Sequence, residues 1–98
     1  MFSTIIPAPM AHITFTQNLQ RHVACPPLQV AGATVREVLD RYFDEHPRVR
    51  GYVLDEQGAL RKHVVVFIDG EQVRDRTGLG EPVGEGSSVY VMQALSGG

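Results

Sequence analysis

The sequence has little of several features that would assign it to a large functional class. It contains one cysteine, Cys25, so no internal disulfide can form, which agrees with a reducing compartment. Its longest apolar runs are about five residues, far below the roughly 20 needed to cross a bilayer. No charged region followed by an apolar stretch and a small-residue cleavage site opens the chain, so we expect a cytoplasmic location.

Positive charge is scarce as well. Nine Lys and Arg residues are outnumbered by eleven Asp and Glu residues, which gives a formal net charge of −2. Nucleic-acid binding needs a concentrated basic face, and the sequence shows no basic cluster, so we expect no nucleic-acid partner. Only Lys62 is a lysine, which disfavours a modifier that forms chains on itself through lysine amines.

Residues that commonly carry catalysis or bind metals show no suitable pattern. Cys25 is followed by two prolines and has no nearby helix N-terminus, which favours an inert structural cysteine over a reactive thiol. No carboxylate pair has the setting of a catalytic acid and base. The four histidines have no metal-ligand spacing, so we predict no metal site (His12, His22, His46, His63).

What is present is a set of short strands around one helix. Thr34 to Glu37 form a capping box, and an apolar stripe follows at helical spacing, ending at His46-Pro47. Asp69-Gly70 is a hairpin signal, whereas residues 18–20 are predicted as a turn and 48–62 as irregular. Alternation predicts strands over 11–17, 21–30 (interrupted by Pro26-Pro27), 63–69, 71–74 and 88–93.

One helix across one face of a small mixed sheet is the economical way to bury such a stripe. If the last strand lies parallel to the first, the fold is α+β, a β-grasp (ubiquitin-like) sheet of four or five strands over residues 11–93. Residues 1–10 contain two prolines and no period. We interpret them as a disordered leader, with a short edge strand over 3–6 or a start at Met10 as alternatives.

The end of the sequence is unusual, because residues 94–98 are small apart from Leu95 and finish in Gly97-Gly98. At an average glycine frequency of about 7%, such an ending arises by chance about once in two hundred chains. A flexible tail without side chains would present its terminal carboxylate to a partner. We therefore predict that the carboxylate of Gly98 is the reactive group.

Strand alternation also predicts a docking surface. If Val64, Val66, Ile68, Val89 and Val91 face the helix, the residues between them lie on the opposite face of the sheet. An exposed aromatic and methionine patch is typical of an interface core. Burial under the leader or self-dimerisation would be alternatives. The predicted partner-binding residues are Val65, Phe67, Tyr90 and Met92, together with Leu95 and Ser96 of the tail.

Residues 60–74, Gly78-Leu79, Pro82, Gly86 and Gly97-Gly98 resemble the MoaD/ThiS family of ubiquitin-like sulfur carrier proteins. They are most similar to its CysO-type members. Family members commonly have a proline and Val-Ala before the glycines, whereas this chain has residues 93–96, Gln-Ala-Leu-Ser. That departure leaves the tail less stiff and bears on the choice of partner rather than on the chemistry.

The resemblance implies that this protein is a cosubstrate rather than an enzyme, with no bound cofactor. A ubiquitin-activating-type enzyme would use ATP to adenylate the Gly98 carboxylate, and a sulfur donor would convert it to a thiocarboxylate. A downstream biosynthetic enzyme would accept the sulfur for cysteine, molybdopterin, thiamin or a specialised metabolite, and a tail-trimming metalloprotease is a further candidate partner. The alternatives are a ubiquitin-like modifier conjugated through Gly98 and a non-catalytic β-grasp interaction domain.

Overall fold

A five-stranded mixed sheet organises residues 8–93, the part of the chain that the computed structural model describes. The strand order is β2-β1-β5-β3-β4, with β1 and β5 parallel and the other neighbouring pairs antiparallel. This is the predicted α+β, β-grasp fold. The elements are β1 (Met10–Phe15), α1 (Gln17–Gln20), β2 (Leu28–Ala31), α2 (Val35–Glu45), α3 (Pro47–Val53), β3 (Val64–Ile68), β4 (Glu71–Gln72) and β5 (Ser88–Gln93).

The core lies between the sheet and α2. All five residues of the predicted helical stripe are buried, because they recur on one face of the helix (Val35, Val38, Leu39, Tyr42, Phe43). The ring of Tyr42 lies 4.8 Å from that of Phe15 on β1. Each fully buried aliphatic side chain of this kind contributes about 1.5–3 kcal/mol.

The capping box begins α2 as predicted, with one change in its second bond. Thr34 Oγ1 accepts a hydrogen bond from the Glu37 backbone N–H at 3.2 Å. The Glu37 carboxylate reaches back to the N–H of Ala33 at 3.0 Å, rather than to that of Thr34. Two N–H groups at the helix start are thereby satisfied, which stabilises the N-terminus.

The segment between β1 and β2 differs from the prediction. Residues 17–20 form the short helix α1 rather than a turn, and the Leu19 side chain of this helix is fully buried. The second strand begins at Leu28 instead of residue 21, because the two prolines before it cannot donate to a ladder. The carbonyl of Pro26 instead accepts a hydrogen bond from the Tyr42 hydroxyl at 2.8 Å.

Residues 47–53, predicted to be irregular, form the helix α3. Pro47 does end α2, but it also begins α3, since the first turn of a helix tolerates proline. Val49 and Val53, four residues apart, are both fully buried. The sequence contains this helical spacing, but a proline after a helix indicates the end of that helix and does not show that a second one begins.

The β3–β4 hairpin and the loop after it are built on special backbone conformations. Asp69 and Gly70 both have positive φ (50° and 88°), as the predicted two-residue turn requires. The strand that follows is shorter than predicted and covers only Glu71–Gln72. Leu79, at φ 54°, and Val83 are buried and anchor the loop to the core.

The carboxylate of Asp75 holds the loop around Leu79. It accepts hydrogen bonds from the backbone N–H groups of Gly78 at 2.9 Å and of Gly80 at 3.1 Å. These bonds, that of Gly80 first, lower the pKa of the Asp75 carboxyl below its usual 3.8, because they favour the charged form.

β1 begins at Met10, one residue before the predicted strand, and the N–H of Gly32 donates to the Pro9 carbonyl at 2.9 Å. The alternative edge strand over 3–6 lies outside the described residues, as does the predicted tail over 94–98. Within residues 8–93, no helix has the length and apolar character needed to cross a membrane.

Candidate functional site

β5 separates two kinds of side chain by its alternation. Val89 and Val91 point into the core and are fully buried, whereas Tyr90 is 37% exposed and Met92 is half-buried. Because β5 pairs with β1 on one edge and β3 on the other, its ladder decides which residues face outwards. Tyr90 and Met92 therefore lie on the sheet face opposite α2.

β3 contributes two more residues to this face. The register places Val65 opposite Met92 and Phe67 opposite Tyr90. The Phe67 and Tyr90 rings lie 6.5 Å apart with 36° between their planes, within the range of favourable aromatic pairs. These four residues form one contiguous block, which we call the outer patch (Val65, Phe67, Tyr90, Met92).

The outer patch has uncharged neighbours on the adjoining strands. Thr14 of β1 pairs with Tyr90, and Gln72 of β4 pairs with Phe67. Apolar and aromatic residues with a polar margin are typical of a protein–protein interface. Thr14 and Gln72 were not among the predicted binding residues, since only the strand register brings them beside the patch.

The end of β5 is held on both sides. The N–H of Gln93 donates to Thr16 Oγ1 at 3.3 Å, and the Asn18 amide donates to Gln93 Oε1 at 3.3 Å. On the other side, Gln93 pairs with Val64 of β3. Gln93, the last described residue, is therefore held in place beside Met92. The remaining predicted site residues lie outside the described part of the chain (Leu95, Ser96, Gly97, Gly98).

Potentially reactive side chains in the described part are buried or isolated. Burial raises the pKa of the Cys25 thiol and so disfavours the reactive thiolate. Burial first, and then the nearby Cys25 and Glu45, also raise the pKa of the Tyr42 hydroxyl. Between residues 8 and 93, no three His, Cys, Asp or Glu side chains are grouped as metal ligands.

Solved structures with this fold indicate the class of protein. The chain is similar to SAMP1 from Haloferax volcanii, at 25% identity over 91% of this chain and 99% of that one, with a TM-score of 0.77. It is also similar to a chain of the Amycolatopsis orientalis BexX/CysO complex (25% identity, 90% and 99% coverage, TM-score 0.76). Urm1 from Trypanosoma brucei shares the fold at 17% identity (96% and 100% coverage, TM-score 0.66). The class is that of ubiquitin-like sulfur carriers and modifiers, which are small proteins rather than catalysts.

The family assignment is narrower. The model of the ThiS family matches residues 27–98, well over half of the chain, and this protein belongs to that family. No curated protein matches it by sequence. The predicted resemblance to MoaD/ThiS carriers is thereby confirmed, and CysO is among the structural neighbours.

Proposed function

We propose that this protein is a sulfur carrier that works through the carboxylate of Gly98. A ubiquitin-activating-type partner adenylates this carboxylate with ATP, and a sulfur donor converts the adenylate to a thiocarboxylate. A biosynthetic enzyme then accepts the sulfur. The outer patch, with Leu95 and Ser96, forms the surface by which these partners recognise the carrier.

One observation carries the proposal: the match to the ThiS family extends through Gly97 and Gly98, beyond the last residue of β5. The structure adds that β5 ends beside the outer patch, so one partner could contact both the patch and the residues that follow. Glycine at both positions lets a backbone pass closely through a narrow channel.

The chemistry needs an activating partner. At neutral pH an α-carboxyl group, with a pKa of about 3.3–3.7, is an anion and a poor electrophile. Attack of its oxygen on the α-phosphorus of ATP forms an acyl adenylate and releases pyrophosphate. Attack of a sulfide equivalent on the acyl carbon then forms a C–S bond, and AMP leaves as its C–O bond breaks. Within residues 8–93 we find no catalytic group for either step.

Binding energy must offset the ordering of the tail. Fixing five residues costs about 5–10 kcal/mol, at roughly 1–2 kcal/mol each. A buried aromatic anchor at an interface contributes about 2–4 kcal/mol, so Phe67 and Tyr90 together could supply much of this. Docking therefore accounts for the exposed Tyr90 and the half-buried Phe67 on this face.

Intact-mass measurement tests the proposal. The protein is incubated with ATP, a ubiquitin-activating-type enzyme and a sulfide source. Replacement of one oxygen of the Gly98 carboxylate by sulfur adds about 16 Da. The matched control is the variant that lacks Gly98, which should still bind the enzyme but gain no mass.

An unchanged mass of this protein would overturn the proposal, provided that the same enzyme activates another carrier protein in the same mixture. The enzyme should come from the same genome as this protein, because partner choice is specific. Omission of ATP must also abolish the gain, since direct reaction of sulfide with a carboxylate is not expected.

A second function is favoured by one comparison, because the Haloferax volcanii neighbour is described as a small archaeal modifier protein. In this alternative, Gly98 is joined to lysine amines of other proteins. The same measurement would show conjugates of higher mass, and no change at all would favour an interaction domain. Lys62 is exposed, and as the only lysine it must carry any chain of linked copies, so Lys62→Arg would remove such chains.

A further inference from the structure

Three segments that are distant in sequence meet at the end of the sheet where β5 finishes. Residues 17–22 contact it through the bond between Asn18 and Gln93. Residues 61–63 immediately precede Val64, the partner of Gln93 in β3. Residues 47–53, which form α3, contact both of these segments. We call the surface formed by these three segments the tail end, because residue 94 follows from it.

Three contacts connect α3 to the other two segments. The imidazole of His22 stacks on the Tyr52 ring, with ring centroids 6.3 Å apart and 22° between the planes. Arg61 donates from Nε to the carbonyl of Gly51 at 2.6 Å, and from its backbone N–H to that of Val53 at 2.9 Å. The three segments therefore form one surface rather than three separate loops.

The tail end is basic. Its three segments contain no Asp or Glu, and all of their Arg and Lys residues are exposed (Arg21, Arg48, Arg50, Arg61, Lys62). They carry five positive charges in a chain whose formal net charge is −2, and two acidic residues, Asp55 and Glu56, line a small pocket with Arg61. The sequence showed no basic cluster, because these residues lie up to about forty positions apart and only the fold brings them together.

The opposite end of β5 is acidic. Four acidic residues and one Arg lie around it, a net charge of −3 (Asp69, Glu71, Glu81, Glu85; Arg74). Asp69 accepts a hydrogen bond from the Ser88 N–H at 2.8 Å, and Glu85 from that of Met10 at 3.1 Å, which places them where β5 and β1 begin. Charge of opposite sign thus accumulates at the two ends of the central strand.

The tail end also contains a groove. A groove of about 650 Å³ runs between the residues after α1 and the start of α3, with His22 and Tyr52 on its walls. Tyr52, at 38% exposed, is one of only three large apolar or aromatic side chains exposed in the described part of the chain. The groove has one acidic neighbour, Glu45 at the end of α2.

We propose that the tail end docks on an acidic protein surface around the opening through which the partner receives residues 94–98. This deepens the proposed function and rests on it. A molecule with opposite charge at its two ends turns in the field of an acidic surface, so the tail approaches first and association is faster. A protein partner fits better than nucleic acid, because a polyanion would repel the acidic end and the net charge.

Matched double variants test the charge. Arg48→Gln with Lys62→Gln removes two positive charges from the tail end, and Arg41→Gln with Arg74→Gln removes two from elsewhere. With the adenylating partner at low salt, kcat/KM should fall about tenfold for the first pair and less than about twofold for the second. Neither pair should change kcat, because the effect is on association.

Salt supplies the second readout. At about 1 M NaCl, where the screening length is about 3 Å, the difference between the two double variants should largely disappear. Equal effects of the two pairs at low salt, or a difference that persists at high salt, would overturn the proposal. So would retention of the wild-type protein, but not the Arg48/Lys62 variant, on duplex DNA at about 0.15 M salt, which would indicate a nucleic-acid partner.

Failure of the proposed function is distinguishable from failure of this inference. If no partner adenylates the wild-type protein, a poly-glutamate peptide replaces the partner and backbone amide shifts are followed by NMR. Shifts at Arg21, Arg48 and Lys62 that weaken in the tail-end variant support an acidic protein partner. Shifts spread evenly over the surface contradict it.

Discussion

The two faces of the sheet use the same strands for different purposes. On β5, Val91 is fully buried while its neighbour Tyr90 is 37% exposed. The inner face is closed by α2 and its aliphatic residues hold the fold together. The outer face carries aromatic residues that α2 does not cover, and we propose that they bind a partner. One alternating strand can thus serve the core with one set of side chains and leave the other set free for binding, since consecutive side chains point in opposite directions.

The largest difference is expected between Val91→Asp and Tyr90→Asp. An aspartate at position 91 would place an unpaired carboxylate among aliphatic residues, at a cost of several kcal/mol against a total stability of about 5–15 kcal/mol. Val91→Asp should lose the cooperative thermal transition followed by circular dichroism. Tyr90→Asp, whose side chain reaches solvent, should keep it. Two similar transitions would mean that the faces do not differ as described.

The next largest effect concerns recognition. Phe67→Asp should lower kcat/KM for adenylation by about 30- to 1000-fold, equivalent to about 2–4 kcal/mol, because it places a charge in an aromatic interface. The melting temperature should change little, since Phe67 lies outside the buried core. Gln57→Asp introduces the same charge on an exposed turn and serves as the control. Unchanged adenylation of the Phe67→Asp variant would contradict the proposed docking role of the outer patch.

A smaller effect should show how closely α2 approaches the sheet. A Cβ at Gly32 would lie 2.8 Å from the backbone nitrogen of Val38, so Gly32→Ala should force the helix outwards. We expect the free energy of unfolding to fall by about 1–3 kcal/mol in urea denaturation.

Gly51→Ala is the matched control for that variant. A Cβ there meets no atom within 4 Å, and Gly51 lies in α3, so alanine should raise the free energy of unfolding by about 0.4–1 kcal/mol. A loss of stability at Gly51 equal to that at Gly32 would show that the spacing between α2 and the sheet is not responsible.

The smallest effect concerns the loop that holds Leu79 in the inner core. Backbone N–H groups lower the pKa of Asp75, so its carboxylate stabilises the fold above the usual pKa of 3.8. This contribution is lost as the pH falls through the lower, folded-state pKa. Asp75→Ala should therefore melt below the wild type at about pH 7, with a smaller gap at about pH 2.5. A gap that does not depend on pH would rule out the charge as the cause.

Local signals predicted the inner face well. α2 needed only the Thr34–Glu37 capping box and one apolar stripe, both contained within a dozen residues. The Asp69-Gly70 turn needed only its two residues. α3 was missed although Val49 and Val53 carry its spacing, because Pro47 can end one helix and begin another with no difference in sequence.

Features that depend on contacts between distant residues were harder to predict from the sequence. The alternation of β3 and β5 placed Val65, Phe67, Tyr90 and Met92 on one face, and their register confirms that arrangement. Their role in binding stays a prediction, as do the roles of the tail residues. The bonds that hold Gln93 join residues more than seventy positions apart, and no local pattern indicates them.

The sequence by itself determined which residues of α2, β3 and β5 face the core, because periodicity is a property of neighbouring residues. It also determined the Gly97-Gly98 ending on which the family resemblance partly rests. Only the tertiary structure decided which strands are neighbours and therefore which charges meet. Arg21, Arg48 and Lys62 form one basic surface because β1 and β5 lie side by side and α3 contacts both His22 and Arg61. The sequence gives the charge of each side chain, but the topology of the chain decides which charged side chains become neighbours.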